Sequence, residues 1–243
     1  MKNIVALLMV LAAGHGYGQQ ENAASNRNQV VKLVLTPNLL YSSAMVVSYE
    51  RAMKDNQTLN VTGGYLQFPH LFEQSSEWRV ERDYATGYMV AVDYRFYMKK
   101  ENRFAPPHGV YLAPFVSYYD FHNDRILRHA TAAAGTDVRF VSDIGFFNIG
   151  GQIGYQFVVK DRWTFDFIFF GPAFSNYRLD LGLQGNFTVD QENQIIQELL
   201  ERFPLLKDLI DEETLTIRGN NSKWAPGYRF SAMVGYKFGF RKK

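Results

Sequence analysis

The sequence predicts an all-β fold, an eight-stranded antiparallel up-and-down transmembrane β-barrel with a short helical insertion before the last strand. Three observations lead there. Apolar and polar residues alternate with period 2 over strand-length stretches, and the bulky face carries the aromatics. The links between these stretches tend to alternate between short and long. The chain also begins with a leader-like segment.

That segment has Lys2 as its basic start, an apolar run from Ile4 to Ala13, and Gly16 and Gly18 at −3 and −1 to a cut before Gln19. The run is too short to span a bilayer, and no other stretch approaches the ~18 apolar residues of a transmembrane helix. Residues 1–18 are expected to be a signal peptide, 19–28 a flexible lead-in and 29–243 an outer-membrane barrel. Only helices and closed barrels satisfy their backbone polar groups in lipid, so membrane residence here requires the barrel.

Weaker alternation places the first three strands at Val30–Thr36, Ser43–Arg51 and Leu59–Phe68. In the fourth, the outer face is Tyr88, Val90, Val92, Tyr94 and Phe96, against Ala91, Asp93 and Arg95. The fifth, Val110 to Phe121, is apolar on both faces, which leaves its orientation open. The sixth sets Phe147, Ile149, Ile153, Tyr155, Phe157 and Val159 against Asn148, Gln152 and Gln156. The seventh sets Trp163, Phe165, Phe167 and Phe169 against Thr164 and Asp166. The eighth is the clearest: Tyr228, Phe230, Ala232, Val234, Tyr236, Phe238 and Phe240 oppose Arg229, Ser231, Met233, Gly235, Lys237 and Gly239, a face mostly small or polar. A soluble barrel would turn the bulky face inward; here that face needs apolar surroundings on the outside.

Lys54-Asp55-Asn56 and Lys160-Asp161-Arg162 are tight polar turns, and Lys99 to His108 is a modest link. Pro69 to Asp83, His122 to Phe140 and about Asp180 to Gly227 are long, while Pro37 to Ser42 is short and breaks the trend. Short periplasmic turns with long outer loops are the outer-membrane habit, and they place both termini in the periplasm. The insertion, about 188–213, opens on a possible capping box, Thr188 and Gln191. Ile195, Ile196, Leu199, Leu200 and Phe203 follow at helical spacing, and Leu206 and Leu209 continue them beyond Pro204.

Composition agrees. Aromatics make up 16% of residues, enough to furnish rings at both interfaces of a barrel. With 26 basic and 24 acidic residues, no concentrated basic face marks a nucleic-acid binder. The absence of Cys excludes disulfides, thiolate metal sites and Cys lipidation.

Three stretches also carry a family resemblance. Lys32 to Tyr49 holds Leu-Thr-Pro-Asn-Leu-Leu-Tyr and runs into Tyr49-Glu50-Arg51; Gly151 to Arg178 forms a hairpin containing Gly171-Pro172; Gly227-Tyr228-Arg229-Phe230 leads to Tyr236-Lys237-Phe238. The chain resembles a family of small Bacteroidetes outer-membrane barrels of unknown function and, more loosely, is similar to OmpX-like and OmpW-like barrels. The resemblance implies location and architecture, with an acidic helical insertion, and brings no catalytic residue. Arg241-Lys242-Lys243 departs from the usual terminal aromatic.

Inside eight strands there is room for side chains only. The inward charges Lys32, Glu50, Asp93, Arg95, Asp166, Arg229 and Lys237 are expected to pair and plug the lumen, with Asp166 next to Lys237 and Glu50 next to Lys32. The expected role is non-enzymatic, as a structural or accessory protein without cofactor or metal. Outer-membrane lipid surrounds it, and its outer loops bind another outer-membrane or surface protein. The apolar face of Ile195, Ile196, Leu199, Leu200, Phe203, Leu206 and Leu209 either covers the mouth or docks that partner. A narrow channel or binder for small hydrophobic molecules, with a lateral exit at Gly171-Pro172, is the alternative. A lipid-acyl hydrolase or transferase would need a Ser beside a His, and the candidates are His70 with Ser75 or Ser76, the set Asp120, His122 and Asp124, and His129. None has a spacing that forces convergence, and the His residues are too scattered for a metal site.

Overall fold

The computed structural model describes residues 29–41, 43–67, 78–98, 106–129, 137–184 and 221–239. The strands are β1 (Gln29–Val34), β2 (Ser43–Lys54), β3 (Gln57–Gln67), β4 (Trp78–Tyr97), β5 (Gly109–His129), β6 (Asp137–Val159), β7 (Trp163–Phe170), β8 (Pro172–Gln184), β9 (Asn221–Tyr228) and β10 (Ser231–Phe238). These ten segments make eight barrel strands. β7 and β8 follow one another along β6, and β9 and β10 follow one another along them. Every neighbour is antiparallel, and β1 pairs with β10 from Gln29↔Phe238 to Val34↔Met233, which closes the ring.

One end carries the tight turns. Asp55-Asn56 joins β2 to β3, and Lys160-Asp161-Arg162 joins β6 to β7. Lys160 and Asp161 both have positive φ, 50° and 56°, the twist that suits a two-stranded ribbon. At the other end, a four-residue helix α1 (Pro37–Leu40) joins β1 to β2, with Pro37 at the start of the turn. It sets Tyr41 over Phe121, ring centres 5.6 Å apart.

Side chains on β5 settle the orientation that its sequence left open. Tyr111, Ala113, Phe115 and Ser117 point inward and are buried, while Leu112, Pro114 and Val116 point outward. The longer strands depart from expectation more. β4 starts at Trp78, β5 runs to His129, β6 starts at Asp137, and strand occupies both flanks of the 180–227 link. Much of what reads as outer loop is ladder, because beyond the apolar stretch the alternation reverses phase. On β5, Asp120, His122 and Asp124 face outward while Phe121, Asn123 and Arg125 are buried; on β6, Arg139 and Asp143 face outward while Phe140, Ser142 and Ile144 are buried. A rule that looks for bulky residues outside loses the strand at that point.

The outward surface is banded. Toward the turn end lie Tyr94, Phe96, Tyr155, Phe157, Trp163 and Tyr236, with Tyr94–Phe96, Tyr155–Phe157 and Trp163–Tyr236 centres 5.1, 4.4 and 5.7 Å apart. Toward the other end lie Tyr65, Tyr88, Tyr118 and Phe147, with Tyr88–Tyr118 at 6.2 Å. Exposed Val47, Val61, Val90, Val92, Val116, Ile149 and Phe167 fill the space between. Past the second girdle come charges: Arg139 donates to both carboxylate oxygens of Asp124 at 2.6 and 2.9 Å, His122 meets Asp143 at 2.6 Å, and Arg128 pairs with Glu81.

Residues 1–28, the helical insertion about 188–213, His70, Ser75, Ser76 and the terminal Arg241-Lys242-Lys243 lie outside the described residues.

Candidate functional site

The lumen near the turn end is polar because the inward positions of seven strands are polar there. Five ionised side chains meet. Lys32 on β1 reaches Glu50 on β2 at 2.5 Å and Asp166 on β7 at 2.6 Å, and donates to Gln156 on β6 at 2.9 Å. Arg95 on β4 holds Asp93 through Nε at 2.6 Å and Asp166 through Nη1 at 2.6 Å, with Glu50 at 3.4 Å. All five side chains are at most 1% exposed. Neutral donors complete the carboxylates. Thr58 and Tyr97 donate to Glu50 at 2.5 and 2.9 Å, Tyr111 to Asp166 at 2.7 Å, and Asn60 to Asp93 at 2.7 Å. The Arg95 guanidinium also lies over the Tyr111 ring, 4.4 Å from its centre. Two cations thus bridge three carboxylates, and neutral donors add to the pairing that buried charge requires, while Arg95 Nη2 and Gln156 Nε2 are buried without a partner.

Local sequence explains the fit. Gly154 leaves room for the Tyr111 hydroxyl: a Cβ there would run into that phenol and lie 2.8 Å from the Phe167 carbonyl oxygen. Farther from the turns the lumen becomes apolar. Val34, Val46, Leu66, Met89, Ile168 and Met233, then Phe121, Phe140 and Ile144, form one packed cluster. The sequence reading missed this layer. Val34, Val46, Leu66, Met89, Phe121, Ile168 and Met233 fall within the strands read from the sequence, where they sit singly among small or polar inward positions, while Phe140 falls in the link read as His122 to Phe140.

Two of the inward charges sit elsewhere. Lys237 is buried at the turn end; the groups that bond Asp166 are Lys32, Arg95 and Tyr111. Arg229 falls in the interruption between β9 and β10. Its guanidinium stands 4.9 Å from the Phe115 ring centre, and its buried Nη1 has no hydrogen-bond partner.

Among the described side chains, which do not include His70, Ser75, Ser76 or His129, the groups considered for nucleophilic chemistry do not assemble. His122 and Asp143 form a dyad, but both are about 40% exposed on the outward rim, and no hydroxyl is bonded to His122 among the described residues. Asp120 instead accepts from Tyr118 at 2.8 Å, and Asp124 is taken by Arg139. Among the described residues no three His, Asp or Glu side chains form a metal-binding group, and no helix is long and apolar enough to cross a membrane.

A family model described as a protein of unknown function, DUF3575, matches residues 4–182. No curated protein and no solved structure matches the chain.

Proposed function

The chain belongs to the DUF3575 family of proteins of unknown function, and on that premise we propose that it is an integral outer-membrane protein of a Gram-negative bacterium. Its role is structural or accessory rather than enzymatic. One observation carries the reading: the closed barrel presents an apolar outward band between two aromatic girdles, with charges beyond. Eight residue steps separate Tyr88 from Phe96 on β4, about 27 Å along a strand at ~3.4 Å per residue. At a tilt of about 40° that is roughly 21 Å along the barrel axis, close to the ~25 Å apolar band of outer-membrane barrels. In water such a band would be an apolar patch far larger than monomers expose.

On this reading residues 1–18 are the cleaved leader, both termini and the tight turns are periplasmic, and the charged rim faces outward. The lumen is plugged twice, by the ion-paired layer and by the apolar layer. The outer connections, with the insertion about 188–213, supply the surface for a second outer-membrane or surface protein. The test is fractionation followed by gel migration of boiled and unboiled samples. The expected result is a faster unboiled band from the outer-membrane fraction; a single unshifted band in the soluble periplasmic fraction refutes the proposal.

A second reading, a binder of small hydrophobic molecules, has its own supporting observation in the unpartnered Arg229.

A further inference from the structure

The barrel wall has a seam at one place. β1 ends at Val34 and gives way to α1, so among the described residues β9 is paired only with β8. At the same level two strands are broken side by side, β7/β8 at Gly171 and β9/β10 at Arg229-Phe230, and the Arg229 amide donates to the Gly171 carbonyl at 2.7 Å. Gly171 permits that approach, since a Cβ there would stand 2.6 Å from the Arg229 carbonyl oxygen. The break frees Arg229 from the ladder, and its side chain enters the barrel.

A cavity of about 220 Å³ lies at this seam, with Leu40 and Tyr41 of the α1 connection and Tyr228, Arg229 and Phe230 among its lining residues. Phe115 and Ser117 in the lining are 3% and 4% exposed, whereas Leu40, Tyr228 and Phe230 are 50%, 57% and 50% exposed. The cavity therefore runs from the lumen to the apolar outer surface. Ser117 already accepts from Asn148 at 3.1 Å. Arg229 Nη1 does not share in such pairing, and among the described residues no carboxylate pairs with this guanidinium.

We propose that this cavity is a binding site for a single-chain carboxylate amphiphile of the fatty-acid class. The carboxylate accepts from the Arg229 guanidinium, and the chain leaves between Leu40 and Phe230 onto the apolar outer band. Three properties choose this ligand. A half-buried guanidinium whose buried Nη1 has no hydrogen-bond partner calls for one anion, and a planar carboxylate matches the guanidinium fork. Leu40, Phe115, Phe146 and Phe230 in the lining favour a guest with an apolar part. The volume is below the ~300–1,000 Å³ of sites that enclose a whole small molecule, so it takes a head and the first carbons while the tail stays outside. A two-chain phospholipid head exceeds it. The exit onto lipid rests on the membrane reading above; the anion anchor does not.

The probe is [1-13C]dodecanoate, with its carboxyl resonance recorded for the full-length protein folded in detergent micelles. The expected result is a resonance distinct from the micellar one, saturating at one per protein, displaced by unlabelled dodecanoate and not by equal dodecanol. Arg229→Gln is expected to weaken it about ten- to a hundred-fold, the range for one lost charge-assisted bond, while keeping the unboiled gel shift. Absence of a second resonance, equal displacement by dodecanol, or unchanged affinity in a folded Arg229→Gln protein overturns the site. The competition uses the wild-type chain, so it decides even if the variant fails to fold. Failure of the site in a heat-modifiable outer-membrane protein leaves the proposed function standing; a soluble fractionation with intact binding does the reverse.

Discussion

Replacing Arg95 by Met removes the cation that touches three buried carboxylates: Asp93 and Asp166 at 2.6 Å and Glu50 at 3.4 Å. Methionine fills much of the aliphatic stem, so the change tests charge more than volume. Afterwards Lys32 alone faces Glu50 and Asp166, and Asp93 keeps only its bond from Asn60 among those given above. Breaking a buried pair from one side costs about 3–5 kcal/mol. Because Thr58, Tyr97 and Tyr111 still donate to the carboxylates, the lower end, about 3 kcal/mol, is expected. That is a fifth or more of a typical total stability of ~5–15 kcal/mol. Urea unfolding in phospholipid vesicles reads it as a lower midpoint with unchanged slope. Adding Asp166→Asn is expected to recover about 1–2 kcal/mol, since the pair then leaves together. A loss below about 1 kcal/mol for Arg95→Met would mean that the layer fills the lumen without holding it, and the reasoning would fall. Planar-bilayer recordings of the same variant are expected to show no steady current, because the Leu66, Phe121 and Phe140 layer remains above the gap.

Arg at Phe167, in the middle of the outward band, is expected to cost about 2–4 kcal/mol in the same vesicle assay, and a neutral result would place that face outside lipid. Ala at His122 in the charged rim is expected to cost under about 1 kcal/mol, since both members of its pair are substantially exposed. Gly154→Ala is expected to destabilise by pushing Tyr111 off Asp166, and Gly154→Ala with Tyr111→Phe should show non-additive losses; simple additivity would refute the contact. Burial, and then Lys237, holds the His108 imidazole below its ordinary value of 6.5. The folded chain favours the neutral ring, so this contribution is complete above pH 6.5 and declines as pH falls from there toward the lowered value. NMR titration should place His108 below 6.5, and Lys237→Gln should raise it; an unchanged or falling value contradicts the repulsion from Lys237.

The strands with bulky residues outside were legible wherever the alternation kept one phase. Tyr88 to Phe96 and Trp163 to Phe169 could be read as surfaces seeking apolar surroundings, and their polar partners as lumen. Legibility stopped where the outside became charged, at Asp120 on β5 and Asp143 on β6, since the same period then carries the opposite meaning. Neighbourhoods were harder than faces. That Asp166 would meet Lys32 and Arg95 depends on how strands distant in sequence pack across a lumen, which no spacing encodes. Arg229 could be recognised as inward, but its isolation arises from a break set by Gly171, and nothing near it in sequence announces that.

Gln29 pairs with Phe238, so the ring is fastened by residues almost at opposite ends of the described chain. Their separation of 209 positions carries a loop-closure entropy of roughly 5 kcal/mol on the (3/2)RT ln n scaling, and no earlier segment can substitute for the fastener. Until β10 has been made, β1 and β7 each present an unsatisfied edge, the kind of edge that recruits other chains. Assembly is therefore a test of completeness. A chain cut short before Ser231 does not become a smaller barrel; it remains an open sheet waiting for a strand that never arrives, while a full-length chain conceals both edges in a single final event.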